Sequence, residues 1–122
     1  MAKYVNPTVV IDGALDKIAA GNQLLVCSSQ PTTRANALSS ALASTSLISG
    51  DFTKANGDVS GRKITIAQKS NISVTATGTA NHIAIVDATN LLLVTTCDPQ
   101  PLTAGNTVTV PAFKDEIAAA LS

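Results

Sequence analysis

The stretch from Ile72 to Cys97 constrains the fold of this chain most. It opens by alternation: Ile72, Val74 and Ala76 point one way, and Thr75 and Thr77 the other. That period of two belongs to a strand. Gly78 interrupts the run and predicts a bulge or a close approach of two backbones. His82 to Asp87 continues as a strand, Ala88-Thr89-Asn90 turns, and Leu91 to Cys97 returns as the second arm of a hairpin. Leu91 to Val94 are continuously apolar, which predicts a central strand covered on both faces.

The same signal recurs on either side. Arg62 to Gln68 alternates with Ile64 and Ile66 on one face, and Thr107 to Val110 alternates after an Ala104-Gly105-Asn106 turn. Pro111 cannot donate to a ladder, so that strand lies at an edge or bulges there. Asp98-Pro99-Gln100-Pro101 reads as a rigid loop. Gly50 to Gly61, with Asn56-Gly57 and Ser60-Gly61, reads as the loosest stretch. Gln23 to Ser28 is a short buried strand and Thr45 to Ile48 another. Phe113 to Ile117 continues a strand, and Ala118 to Leu121 fits strand or helix equally.

Helical signals come early. Asn6 is a good N-cap, Pro7 suits the first helical position, and Val5 and Val10 form a staple across the cap. Ile11, Leu15, Ile18 and Ala19 then make one apolar face, and Gly21-Asn22 ends the helix. Thr33 caps a short helical turn through Leu38. The sum is an α+β, mainly β chain of six or seven strands. The expected form is an antiparallel β-sandwich-like domain with one N-terminal helix, residues 1–6 being an arm and 7–122 a single domain.

Composition narrows the function. Only 13% of the 122 residues are charged and the formal net charge is zero, against about 25% charged in an ordinary soluble domain. So few charges repel neighbouring copies weakly and favour association. The polar surface falls to Ser, Thr, Asn and Gln, which cost little to desolvate compared with ions. Lys and Arg are scattered, with no concentrated positive face to follow a phosphate backbone, so nucleic acid is not an expected partner. No apolar run is long enough for a membrane helix and no signal peptide opens the sequence, so the expectation is a cytosolic protein with Cys27 and Cys97 reduced and no membrane partner.

No constellation for chemistry stands out. His82 is the one histidine, and on a strand Asp87 points to the opposite face from it. There is no nucleophile elbow and no phosphate loop. Asp51, Asn56 and Asp58 share a Gly-containing stretch without calcium-loop spacing. The expectation is a non-enzymatic chain with no catalytic residue, metal or cofactor.

The segments "ALDKIA", "LLVCSSQPTT", "SGRKITIAQK", "VTATGTANHIAIVDATNLLLVTT" and "LTAGNTVTVPAF" occur in an order that resembles small structural proteins of tailed bacteriophages. The resemblance implies a virion component assembled in the host cytoplasm, with a capsid decoration (cement) protein as the favoured form. It would bind the major capsid protein or another virion protein, and would itself be a dimer or trimer. A neck, collar or tail component is the first alternative, and a carbohydrate-binding or adhesion module the second. The residues expected to grip a partner are Lys3, Tyr4 and Val5 in the arm, then Arg34, Phe52 and Lys54.

Overall fold

The computed structural model describes residues 12–58 and 61–117. Among them the elements run α1 (Asp12–Ala19), β1 (Gln23–Cys27), α2 (Arg34–Ser40), β2 (Ala41–Ser46), a 3-10 turn (Ser49–Asp51), β3 (Phe52–Asn56), β4 (Arg62–Ile66), β5 (Lys69–Ser73), β6 (Gly78–Val86), β7 (Leu91–Leu102), β8 (Thr107–Val110) and β9 (Phe113–Ile117). Three antiparallel sheets result, in the orders β2-β1-β6-β7, β3-β4-β9 and β5-β8. The chain is therefore α+β and mainly β, while its strands divide among three sheets, so a sandwich is not established.

The four-stranded sheet organises the rest. Its inner strands β1 and β6 carry apolar side chains on both faces. Leu24, Val26, Ile83 and Ile85 join the main core with Leu15 and Ile18 of α1 and Ile64 and Ile66 of β4. Leu25, Cys27, Ala84 and Val86 point the other way, against Ala37 of α2. Small side chains at this second interface let the short helix sit close to the sheet. Thr33 caps α2 as its position suggests, its hydroxyl accepting from the Asn36 N–H at 3.1 Å.

Several expectations are corrected. Leu91 to Val94 lie in β7, which is an edge strand rather than a central one, and they are half-buried; the strands fully buried on both faces are β1 and β6. Their apolar run still packs on both faces, Leu92 and Leu93 against the main core and Leu91 and Val94 against the cluster under α2, with a bulge at Leu92, since Ile85 pairs with Leu93 and Val86 with Leu91. Asp98 to Pro101 are part of β7 rather than a loop. An edge strand tolerates Pro99 and Pro101 because a residue without an N–H need only face away from the ladder. The Gly50–Gly61 stretch contains the regular strand β3, fixed by five register pairs with β4. The second strand begins at Ala41, earlier than Thr45, and ends at Ser46. At Gly78 the close neighbour is a side chain and not a second backbone: a Cβ there would stand 3.1 Å from Leu42 Cδ2. Asn6, Pro7 and Val10 lie outside the described residues, as do Ile11 and Ala118 to Leu121.

Candidate interaction surface

Charge is unevenly spread over this fold. Among the described residues, five of the seven Lys and Arg are in ion pairs on the side built by α1, β3, β4 and β9 and the start of β5. Arg62 Nε donates to Asp12 Oδ1 at 2.8 Å, and its Nη2 to Asp12 Oδ2 at 3.2 Å. Lys54 pairs with Asp16, and Lys69 with Asp51 at 2.8 Å. Asp58 takes both Lys63, at 2.7 Å, and Lys114. The two lysine ammoniums hold the Asp58 carboxyl down to about 2, Lys114 having the larger effect. Asp12 is lowered by Arg62 and Asp51 by Lys69. Asp51, Asn56 and Asp58 share one stretch of sequence but meet different cations: Asp51 takes Lys69, Asp58 takes Lys63 and Lys114, and Asn56 accepts from Arg62 Nη1 at 2.8 Å.

The remainder is almost free of charge. Across residues 70–113 only Asp87 and Asp98 are ionic. Asp87 is committed to its own turn, accepting from the N–H groups of Thr89 (2.8 Å) and Asn90 (2.6 Å), which lower its pKa. The exposed positions here include Asp98 and the uncharged Thr75, Thr77, Thr79, Gln100, Thr103, Asn106, Thr107 and Thr109. Among the described residues, Ile48, 68% exposed, and Leu38, 40% exposed, are the large apolar side chains most open to solvent. Ile48 is held in place because its N–H donates to Asp51 Oδ2 at 2.9 Å, and Lys69 fixes that carboxylate. Nothing in the local pattern distinguished Ile48 from buried Leu47 beside it.

The expected grip residues fall in different places. Lys3, Tyr4 and Val5 lie outside the described residues. Arg34 is half-buried, and its Nε donates to the Asp87 carbonyl at 2.7 Å, so it ties α2 to the β6–β7 turn. Phe52 and Lys54 share one face of β3, opposite Ile66 and Ile64 in register. Phe52 packs on the core and Lys54 reaches Asp16 of α1. Arg34 is on the opposite side of the large sheet from these two, and the structure does not bring the three together.

The thiols are the remaining candidates for chemistry. Cys27 and His82 are register partners across β1 and β6 and so share a face. Cys27 is fully buried, its Sγ lies 3.7 Å from the Ala37 carbonyl, and burial pushes its thiol up, which keeps it protonated. Cys97 packs on the opposite, main-core face, and burial raises its thiol too. Both cysteines are free. Among the described residues no three His, Cys, Asp or Glu side chains cluster to hold a metal ion, and no helix is long and apolar enough to cross a membrane. No family model, no curated protein and no solved structure matches the chain.

Proposed function

We propose that this chain is a structural component of a tailed-bacteriophage particle, acting as a cement protein that bridges neighbouring capsid subunits. The observation that carries the reading is the separation of charge: five cations of one side are paired internally, and the long β surface of residues 70–113 offers Thr, Asn, Gln and Pro with two carboxylates. Such a surface meets another protein without stranding an ion, because hydroxyls and amides are cheap to desolvate beside ionic groups. The order of sequence segments supplies the class of particle. Several weak contacts per copy suffice, since simultaneous engagement multiplies them. The test is co-sedimentation of the purified chain with expanded, undecorated capsids. Saturable binding supports the reading, and a chain left wholly in the supernatant removes it.

A further inference from the structure

An open sheet edge recruits another strand unless charge, proline, a bulge or a covering segment guards it. Among the described residues, five of the six edge strands are guarded along their length. The outer side of β2 is taken: Ala43 bridges to Val74, and the N–H groups of Thr75 (2.8 Å) and Ala76 (3.3 Å) donate to the Leu42 carbonyl. β3 carries Lys54, and β9 carries Lys114, Asp115 and Glu116. β5 opens with Lys69 and bulges at Asn71. β8 has four residues and stops before Pro111.

The sixth, β7, is different. Only residues 103–106 join it to β8, a connection short enough to close a hairpin that would cover the edge. Instead β8 pairs with β5, and the one strand beside β7 is β6. A cleft of two adjoining cavities, ≈350 and ≈260 Å³, separates β7 from β8, with Gln100, Val108 and Thr109 lining both. The β7 edge is protected near its ends, by the bulge at Leu92 and by Asp98, Pro99 and Pro101. Residues 93–97 between them carry neither charge nor proline, and 93–96 run in unbroken register with β6. Leu93 and Cys97 pack on the main core and Val94 on the cluster under α2, so the edge presents backbone N–H and C=O groups outward.

We infer that residues 93–97 of β7 pair antiparallel with the same stretch of a second copy, joining two four-stranded sheets into one of eight strands. The inference goes beyond the particle reading and stands on this edge alone. A second copy brings a bare edge of equal length, and a two-fold axis at Thr95, its midpoint, matches the stretch to itself. Thr95 then faces the partner's Thr95, Val94 the partner's Thr96, and Leu93 the partner's Cys97. Each pair meets on one face of the joined sheet, and no like charges are opposed. The whole chain has formal net charge zero, so two copies do not repel at a distance. A ladder this short is smaller than a permanent interface, so association depends on concentration.

Sedimentation velocity over a concentration series tests it with the full chain, Thr95→Lys, Thr95→Asp and an equimolar mixture of the two, each variant first checked for a native circular dichroism spectrum. The wild type forms dimers. Each variant alone associates more weakly by about tenfold or more, because its new charge meets itself, and the mixture recovers most of the loss. A wild type that stays a single chain at every concentration overturns the inference. So do variants that associate like the wild type, or a mixture no better than its parts. Hydrogen exchange of the wild type gives a second reading that needs no variant. Amides within residues 93–97 gain protection as concentration rises; protection gained only elsewhere, or nowhere, overturns the inference. Dimers without capsid binding leave this contact and remove the particle reading; capsid binding by a chain that never dimerises does the reverse.

Discussion

Arg62 grips Asp12 with two roughly parallel hydrogen bonds, 2.8 and 3.2 Å long, across fifty residues of sequence. This fork joins the first residue of α1 to the first residue of β4, and the carboxylate also sits where the helix dipole favours a negative charge. Lysine cannot reproduce the fork. Arg62→Lys therefore lowers the melting temperature by a few degrees although charge is conserved. Combining it with Asp12→Asn adds little further loss, because both changes remove the same contact. Thermal unfolding of the two single variants and the double checks this; fully additive losses would show that the pair is not coupled.

Acid should weaken the same side of the molecule. Asp58 falls from the usual 3.8 to about 2 in the folded chain, through Lys114 and then Lys63. Its folded pKa lies below the unfolded one, so its contribution is complete above the unfolded value. It shrinks as the pH drops through 3.8, and is lost once the pH passes below about 2. Asp12, Asp51 and Asp87 are lowered too and act in the same direction. Melting temperatures should be flat from neutral pH to about pH 5 and then decline. Asp58→Asn should flatten the decline without shifting its onset upward.

Two glycines near α1 should respond oppositely to alanine. At Gly21 a Cβ would stand 2.4 Å from Ile85 Cγ2 and 3.0 Å from the Ile18 carbonyl, so helix end and sheet must separate. Gly21→Ala should cost about 1–3 kcal/mol, the range for overpacking. At Gly13 no atom lies within 4 Å of the added Cβ, and the site is helical. Gly13→Ala should add about 0.5 kcal/mol by restricting the unfolded chain. Urea denaturation of both variants reads the two signs directly.

The thiols should differ in access. Cys27 is fully buried and Cys97 half-buried, and burial raises both. A disulfide reagent should label Cys97 slowly in the native chain and reach Cys27 only on unfolding. Native labelling of Cys27 at the rate of Cys97 would contradict the packing of α2 over the sheet.

What the sequence disclosed followed from how local each signal was. Thr33 could be read as a cap, and Ile64 and Ile66 as one face of a strand, because neighbours in sequence decide both. The place of β7 could not, because whether Leu91 to Val94 are central or at an edge depends on which strands pair, and Pro99 and Pro101 resemble a loop until β6 is laid beside them. The strand within Gly50–Gly61 was hidden because β3 is stabilised by pairing with β4 and by Lys54–Asp16, neither of which leaves a short-range pattern. Asn71, at φ 56°, is the left-handed residue of a bulge between Lys69 and Ile72 that no alternation rule anticipates. The candidate surface was legible only as a composition. That its charges gather on one side, and that β7 and β8 part to open a cleft, are consequences of tertiary pairing.

The central claim is that this chain works as a building part of a viral particle, and counting it there is the most direct test. Quantitative mass spectrometry of purified particles should find it in hundreds of copies, in a fixed ratio to the major shell protein. About a dozen copies would move it to a neck or tail ring. Its absence from particles made in cells that express it would contradict the account.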